Sequence, residues 1–258
     1  MAVLRIDHKA QSTKVNLPMY MILPDPVTMD GIPVRKRKVL YLLHGLSDDG
    51  SAWQRFTTIE SLASDYGLVV VMPSVGRSFY NDLPNGQNYF TYIVEEIPQY
   101  LQDVFAIEPR REDTYIAGLS MGGYGAMKAA FRHPEKYAAA GSFSGVLSFS
   151  LLASHIQMDP QESEEFSQLF GDLGQLPGST NDPINWVRNY DIKAGELPKL
   201  FISCGLQDDL YPTNTHFISE CKKKGIPLEF HDEPGAHAWP FWEKQIVLFL
   251  KFALGERE

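Results

Sequence analysis

The amino-acid sequence predicts an α/β fold in which helices cover both faces of a mostly parallel sheet. Two observations carry this prediction: short apolar runs alternate along the chain with stretches of helical periodicity, and the runs are apolar on both sides. The composition agrees, because 44% of the 258 residues are hydrophobic and 21% are charged, as in ordinary globular proteins. A chain of this length can bury a stable core without disulfides or metals.

Five short apolar runs are predicted to form strands. In chain order they are Val39–Leu43, Leu68–Met72, Thr114–Ala117, Lys199–Ser203 and Leu228–His231. Between and after these runs, apolar residues at helical spacing predict helices. In chain order these are Thr58–Tyr66, Thr91–Phe105, Tyr124–Arg132, Thr213–Lys224 and Phe241–Leu254. Such an order of elements is typical of a parallel sheet covered on both faces.

Two segments interrupt the alternation of strands and helices. Residues 76–88 are polar and rich in turn-forming residues, and residues 148–196 combine an acidic helical stretch with turns of glycine, proline and asparagine. The second segment is too short to be an independent domain. We therefore expect one domain over residues 1–258, in which 148–196 is a small cap-like insertion over the carboxyl edge of the sheet, where α/β folds bind ligands.

The charge balance excludes several classes of partner. Twenty-three basic and 32 acidic residues give a net charge of −9, which disfavours nucleic acids, anionic membranes and strongly anionic substrates. No apolar run is long enough for a membrane span, and the first residues lack the apolar core of a signal peptide. Since the chain has only two cysteines, Cys204 and Cys221, we expect a reducing compartment and hence the cytoplasm.

The strongest local motif is Gly118-Leu-Ser120-Met-Gly122, which matches G-x-S-x-G. It lies between a predicted strand and a predicted helix, the setting of a nucleophile elbow. Glycines on both sides permit a sharp turn, so Ser120 projects above the sheet at a helix N-terminus. A Walker loop or a dinucleotide fingerprint would need other spacings, and no further ligands surround Asp48 and Asp49. We expect neither a cofactor nor a metal.

A serine hydroxyl needs a base to take its proton, and the base needs an acid to orient it. After a nucleophile elbow, the acid and then the histidine follow along the chain. His237, in a loop between the last strand and the last helix, is the predicted base. Asp208 follows the fourth predicted strand and is the preferred acid, but its neighbour Asp209 is an alternative that position alone does not exclude.

The fourth element of such a site is an oxyanion hole, which backbone amides usually form. One donor is expected from Met121, the residue after the nucleophile. The other is expected from Leu46, in the turn His44-Gly45-Leu46 at the end of the first predicted strand. By itself this turn is equally well explained as an ordinary strand end. Its combination with the elbow and the late aspartate and histidine favours the functional interpretation.

With these elements placed, the sequence resembles the esterase D-like branch of the α/β-hydrolases. That branch includes the S-formylglutathione hydrolases and the small bacterial tributyrin or acetyl esterases. The resemblance extends from Leu17 to Phe252 and rests on five ordered motifs. They are His44-Gly-Leu-Ser-Asp-Asp-Gly-Ser-Ala-Trp53, Gly76-Arg-Ser-Phe-Tyr80, Gly118-Leu-Ser-Met-Gly-Gly-Tyr-Gly125, Cys204-Gly-Leu-Gln-Asp208 and Gly235-Ala-His237-Ala-Trp239.

The resemblance implies an α/β-hydrolase fold and a serine carboxylesterase. It favours Asp208 over Asp209, because the family's acid follows Cys-Gly by three positions. The tributyrin-type members look more similar than the S-formylglutathione hydrolases, which usually carry Ser-Gly-Leu-Thr-Cys where this chain has His44-Gly-Leu-Ser-Asp48. The implied catalytic residues and oxyanion donors are Ser120, Asp208, His237, Leu46 and Met121.

Aromatic side chains near the motifs are candidates for a substrate pocket, although any single one is more often part of a core. Trp53 is the first candidate because it follows the oxyanion turn, and His44 and Trp239 are further candidates. Arg77 either steers an anionic substrate or pairs with one of the many carboxylates. Cys204, at a strand end, is expected to be a buried thiol.

The expected substrate is a small-molecule ester with a short acyl chain, because the insertion is too small for a lipase-like lid. The natural alcohol and acyl groups are left open by the sequence. The same residues would also serve a thioesterase or an acyltransferase, and a non-catalytic binding module is a third, disfavoured alternative. A homo-oligomer is compatible with the sequence, which shows no pattern that marks an interface.

Overall fold

An eight-stranded sheet forms the centre of the structure, a computed structural model that describes residues 1–25, 31–156, 160–191 and 196–255. The strands are β1 (Ala2–Lys9), β2 (Asn16–Leu23), β3 (Lys38–Leu43), β4 (Leu68–Pro73), β5 (Thr114–Leu119), β6 (Ala139–Phe143), β7 (Lys199–Gly205) and β8 (Glu229–Glu233). Their order across the sheet is β1-β2-β4-β3-β5-β6-β7-β8. The pairs from β4 to β8 are parallel, whereas β1 and β2 form an antiparallel edge.

The mostly parallel sheet confirms the predicted fold class, and the five predicted strands are all present. Three further strands were not predicted. In β1 exposed and half-buried residues alternate and several carry charge, because this strand lies at the edge of the sheet. In β6 the residues are small, Ala-Ala-Gly-Ser-Phe, so the strand lacks the β-branched residues that signal burial in a sheet.

Ten helices lie along the described part of the chain. They are α1 (Ala52–Phe56), α2 (Ile59–Tyr66), α3 (Tyr89–Thr91), α4 (Ile97–Phe105), α5 (Met121–Arg132), α6 (Phe149–Ile156), α7 (Pro160–Phe170), α8 (Pro183–Asn189), α9 (Tyr211–Lys224) and α10 (Trp239–Leu254). A π-helical turn, Tyr92–Glu96, joins α3 to α4. No helix within these described ranges is long and apolar enough to cross a membrane.

The sheet separates two hydrophobic cores because successive side chains of a strand point to opposite faces. In β3, Tyr41 and Leu43 belong to the core under α4, α5 and α9, whereas Leu40 and Leu42 belong to the core under α1, α2 and α10. The strand is therefore apolar on both sides, as the sequence predicted. The central strands are fixed from both faces, so the loops at their carboxyl ends start from well-defined positions.

Helices α6, α7 and α8 lie within residues 148–196, the predicted insertion. An aromatic cluster attaches α7 to the rest of the molecule. Phe166 and Phe170 of α7 pack edge-on against Phe79, with ring centroids 5.0 and 5.4 Å apart, and Phe79 in turn contacts Tyr124 of α5 at 5.7 Å. Through this cluster the insertion shares the core that lies beside the G-x-S-x-G turn.

Some element boundaries differ from the predicted ones. The helix predicted from Tyr124 begins at Met121, because Gly122 and Gly123 are part of its first turn rather than of the preceding loop. A Cβ atom on Gly122 would lie 2.4 Å from the carbonyl oxygen of Leu43, so the helix starts against the end of β3. The last strand runs Glu229–Glu233 rather than Leu228–His231.

Candidate active site

Ser120 occupies a strained turn between β5 and α5. Its backbone angles are φ 53° and ψ −117°, a region that residues with a side chain rarely adopt. The Ser120 amide donates a hydrogen bond to the Phe143 carbonyl at 2.9 Å, and the Ser120 carbonyl accepts one from the Tyr124 amide at 3.1 Å. A Cβ atom on Gly118 would lie 2.5 Å from the backbone of Gly122, so the turn closes only with glycine there. These features are those of a nucleophile elbow.

His237 and Asp208 meet at the carboxyl edge of the sheet, after β8 and β7 respectively. The Nδ1 of His237 lies 2.9 Å from Oδ2 of Asp208. The Asp208 side chain is completely buried, whereas that of His237 is 37% exposed. Asp209, the alternative acid, is exposed. The structure therefore brings Asp208, and not Asp209, to the imidazole.

The surroundings of Asp208 keep its carboxyl group ionised. Burial acts to raise its pKa, but hydrogen bonds from His237, Ser144 and the Leu210 amide outweigh burial and hold the pKa below its usual range. The Leu210 amide donates at 2.8 Å. An ionised carboxylate only accepts hydrogen bonds, so Nδ1 of His237 must carry the proton. This leaves Nε2 of a neutral imidazole free to accept a proton.

Ser144 and Trp242 complete the packing around this pair, and sequence reasoning missed the role of Ser144. Trp242 donates from Nε1 to Ser144 Oγ at 3.1 Å, and its ring meets the His237 ring edge-on at 4.9 Å. Ser144 follows β6 with φ 51° and is buried. Because β6 was not predicted, the position of Ser144 at the carboxyl end of a central strand was not recognised, although that position is the available signal.

Among the described residues, no hydrogen bond joins the Ser120 hydroxyl to the His237 imidazole. Both residues lie in turns at the same edge of the sheet, after β5 and β8. Hydrogen bonds between a nucleophile and its base are often long in enzymes without substrate and tighten when substrate binds. The structure thus joins the base to its acid and places the serine in a separate, strained turn at the same edge of the sheet, with β6 between the strand that precedes Ser120 and the strand that precedes Asp208.

The predicted oxyanion donors belong to the turn after β3 and to the start of α5. A Cβ atom on Gly45 would lie 3.7 Å from the Cβ of Ser120, so the turn after β3 approaches the elbow closely. In the described ranges, neither the Leu46 amide nor the Met121 amide donates a hydrogen bond to the protein. Met121 begins α5, where amides have no partner within the helix and the helix dipole favours negative charge. Of these two amides without a protein partner, one directly follows Ser120 in the chain and the other lies in the turn that approaches the elbow.

His44 is buried beneath the turn that contains Gly45 and Leu46, and it does not line an open pocket. The side chain is completely buried, its Nδ1 donates to the Gly45 carbonyl at 2.7 Å, and its Nε2 accepts from the Val75 amide at 3.1 Å. These partners assign the proton to Nδ1. Burial lowers the pKa of His44, so the imidazole remains neutral. The prediction of His44 as a pocket residue is corrected accordingly.

The two predicted pocket tryptophans have different positions. Trp53 is completely buried, donates from Nε1 to the Leu43 carbonyl at 3.0 Å and packs edge-on against Trp239 at 5.2 Å. It is a core residue, because a large aromatic ring after a strand end finds its best environment between α1 and the sheet. Trp239 is half-buried and contacts Trp242, the neighbour of His237, at 5.3 Å. Of the two, only Trp239 lies near the histidine and reaches the surface.

Arg77 has an ion-pair partner, and the two cysteines are buried. Arg77 forms a bidentate ion pair with Glu165 of α7, with Nη2 2.6 Å from Oε2, so it links the loop after β4 to the insertion. Cys204 and Cys221 are buried free thiols, and burial raises the pKa of both. The described residues contain no group of three metal-ligating side chains.

Comparisons with known proteins agree with this architecture. A model of the esterase family matches residues 10–252. The acetyl esterase of Caldicellulosiruptor saccharolyticus is 31% identical over 256 residues and aligns with 96% of each chain.

Two solved structures from Staphylococcus aureus are similar over nearly their whole length. The substrate-bound fluorophosphonate-binding serine hydrolase FphF has a TM-score of 0.88 at 30% identity and covers 99% of both chains. The S-formylglutathione hydrolase FrmB has a TM-score of 0.86 at 31% identity and covers 98% of both chains. The chain belongs to the esterase family and is a serine carboxylesterase with the α/β-hydrolase fold.

Proposed function

We propose that this carboxylesterase acts through a Ser-His-Asp triad formed by Ser120, His237 and Asp208. The observation that carries the proposal is the 2.9 Å hydrogen bond between the buried Asp208 and the half-exposed His237, at the same sheet edge as the strained Ser120 turn. A neutral imidazole with its proton on Nδ1 presents Nε2 as a base. This supports proton transfer from the serine hydroxyl to His237.

The proposed reaction is a two-step acyl transfer to water. The oxygen of Ser120 attacks the ester carbonyl while Nε2 of His237 takes the hydroxyl proton. The amides of Leu46 and Met121 bind the oxyanion of the tetrahedral intermediate. His237 then gives its proton to the departing alcohol, and an acyl-serine remains. Water attacks the acyl-serine with His237 again as base, which releases the carboxylic acid and restores the hydroxyl.

The proposed substrates are esters with short acyl chains, such as acetyl to butyryl. Two features support this. The insertion comprises only residues 148–196, and its helix α7 is held against the loop after β4 by the Arg77–Glu165 ion pair. The acetyl esterase of C. saccharolyticus is among the relatives. A thioester substrate is the second candidate, because the S-formylglutathione hydrolase FrmB is equally similar in sequence.

Replacement of Ser120 by alanine tests the triad. We expect kcat for p-nitrophenyl acetate to fall by about 10⁴-fold or more, because the nucleophile is lost while the fold is kept. Ser203→Ala is a matched control, since Ser203 is buried and its hydroxyl has no hydrogen-bond partner in the described structure. A Ser120→Ala protein with near wild-type hydrolysis would contradict the proposal.

A series of p-nitrophenyl esters tests the acyl-chain preference. We expect kcat/KM to be highest from acetate to butyrate and lower for decanoate, because the fixed insertion limits the room for a long chain. S-formylglutathione, assayed beside p-nitrophenyl acetate on the same preparation, separates the two candidate substrate classes. Faster hydrolysis of decanoate than of butyrate would contradict the short-chain proposal and leave the triad unaffected.

A further inference from the structure

A buried lysine on the nucleophile helix has no place in the reaction described above. Lys128 of α5 lies eight residues after Ser120, about two helical turns further along. Its exposed fraction is only 7%, and burying an ammonium group is costly unless it is well partnered. Burial lowers the pKa of Lys128 to about 7, against an opposing attraction from Asp82. The burial of the Lys128 amino group is unfavourable, so its position calls for a structural or functional explanation.

The hydrogen bonds of Lys128 all go to one segment, the loop after β4. Its Nζ donates to the Tyr80 carbonyl at 3.2 Å and to the side-chain oxygen of Asn81. The ammonium also lies 4.6 Å from the centre of the Phe90 ring, within the range of a cation–π interaction. Among the described residues, no carboxylate forms an ion pair with it. Lys128 therefore stabilises this loop through hydrogen bonds and does not neutralise a carboxylate through an ion pair.

The loop that Lys128 holds is strained. Phe79 and Tyr80 are consecutive residues with side chains, and both have φ 51°, in the left-handed region. Residues with a side chain are strained in this conformation, which persists only where the surrounding structure fixes it. The hydrogen bond from Lys128 to the Tyr80 carbonyl and the one from the Tyr80 amide to Ser78 Oγ, at 3.2 Å, provide that restraint.

Tyr80 connects the loop to the oxyanion turn. Its hydroxyl donates to the carbonyl of His44 at 3.0 Å, and its ring packs against α5 so closely that a Cβ atom on Gly125 would lie 2.6 Å from it. His44 directly precedes Gly45 and Leu46, and its carbonyl is part of the peptide that leads into the turn. A continuous set of hydrogen bonds thus runs from Lys128 through Tyr80 to the backbone of the oxyanion turn.

We propose that Lys128 is a positioning residue that, through Tyr80, fixes the oxyanion turn in the geometry needed to bind the tetrahedral intermediate. This inference rests on the proposed function, in which the Leu46 amide is an oxyanion donor. An oxyanion donor acts on charge that develops only in the transition state. A displaced donor therefore lowers kcat and leaves KM nearly unchanged, whereas general loosening of a binding site raises KM.

The test combines Lys128→Met, Tyr80→Phe and the double variant, assayed with p-nitrophenyl acetate. We expect each single variant to lower kcat about tenfold with KM changed by less than about twofold, because each interrupts the same set of hydrogen bonds. We expect the double variant to lose no more than the stronger single variant, since coupled residues are not additive. Tyr80→Phe removes one oxygen atom, so it keeps the test decisive if Lys128→Met folds poorly.

Lys136→Met is the matched control. Lys136 also donates from Nζ to a backbone carbonyl, that of Val94 at 2.7 Å, but it donates no hydrogen bond to the loop after β4 in the described structure. We expect its kcat to equal that of wild type. The inference is overturned if Tyr80→Phe leaves kcat unchanged, if KM rises instead, or if the two losses multiply. Full activity of Ser120→Ala would instead overturn the proposed function, so the two failures are distinguishable.

Discussion

The two buried carboxylate oxygens of Asp208 determine the orientation and the tautomer of the His237 imidazole. One oxygen of Asp208 accepts from Nδ1 of His237 and the other accepts from the Leu210 amide, so the carboxylate is fixed in its plane. Because its pKa is held below the usual range, Asp208 stays ionised and the imidazole keeps one tautomer. The neighbouring Asp209 is exposed and does not provide a buried carboxylate for the imidazole. At this scale the proposed chemistry follows from the position of one carboxylate.

Replacement of Asp208 by asparagine tests whether this carboxylate orients His237. The amide can donate to Nδ1 and so favour the wrong tautomer, and we expect kcat for p-nitrophenyl acetate to fall by about 10³- to 10⁴-fold. Asp209→Asn is the matched control and should retain kcat within about twofold of wild type, because exposed substitutions away from a site have small effects. Equal losses in the two variants would contradict the assignment of the acid.

The local motifs of the site were accessible to sequence reasoning, whereas its side-chain partners were not. Glycines around Ser120 predict a strained turn because only glycine permits the close backbone contacts observed there. The choice between Asp208 and Asp209 depends on the direction of a side chain after a turn, which adjacent identical residues do not reveal. Trp53 was misassigned because an aromatic residue after a turn is equally suited to a core or a pocket.

At the scale of elements, α5 is fixed by close contacts along its buried face. Gly122 lies against the end of β3, Gly123 against Ser142 of β6, and Gly125 against the ring of Tyr80. The helix can approach the sheet and the loop after β4 only because these positions lack a Cβ atom. The sequence indicated the first contact through the G-x-S-x-G motif, but the contact of Gly125 with Tyr80 required knowledge of where the loop lies.

Replacement of Gly125 by alanine tests this packing. In an open helix position the change would stabilise the protein by up to about 1 kcal/mol, because alanine favours helix. Here the added methyl group would lie 2.6 Å from the Tyr80 ring, so we expect the free energy of unfolding to fall by about 1–3 kcal/mol. Urea denaturation measures the change. An unchanged or higher stability would contradict the close approach of loop and helix.

An ion-pair cluster between α8 and α9, the clamp formed by Arg188, Glu220 and Lys223, makes a pH-dependent contribution to stability. Arg188 and Lys223 each donate to Glu220 at 2.7 Å, and these hydrogen bonds lower the pKa of Glu220 to about 2, from an ordinary value of 4.5. A carboxyl group whose pKa is lowered by folding stabilises the protein above its unfolded pKa, and this contribution is lost as the pH falls through the folded value. The affected window lies between about pH 4.5 and pH 2.

Glu220→Gln tests the clamp. We expect the variant to be less stable than wild type at neutral pH and the difference to shrink as the pH falls below about 4.5, because wild type loses the charge of Glu220 while the variant has none to lose. Chemical denaturation at neutral and acidic pH measures this. Glu112→Gln is the control, because Glu112 is exposed and its ion pair is longer, with Oε1 3.7 Å from Nη1 of Arg110. A difference that does not change with pH would contradict the expectation.

Across the whole molecule, the described helices lie on both faces of one eight-stranded sheet. The fold class was predictable, because two-sided apolar strands and alternating helices require a covered parallel sheet. The attachment of the insertion was not, because it depends on aromatic contacts between Phe166 of α7 and Phe79, which are distant in sequence. We propose that residues 1–258 behave as a single domain with this insertion as an integral part.

Phe166→Ala tests whether the insertion shares the main core. The side chain is 5% exposed, and truncation of a buried phenylalanine costs about 3–5 kcal/mol. We expect the melting temperature of one cooperative transition to fall, since the insertion and the sheet unfold together. Thermal unfolding followed by calorimetry measures this. A separate low-temperature transition with an unchanged main transition would show that the insertion is an independent unit.

Covalent labelling shows directly whether Ser120 is the nucleophile. A fluorophosphonate probe forms a stable bond with an activated serine, and peptide mass spectrometry then locates the modified residue. We predict that wild type carries one label, that the label lies on Ser120, and that Ser120→Ala carries none. A label on another residue of wild type, or undiminished labelling of Ser120→Ala, would contradict the assignment of Ser120 as the nucleophile.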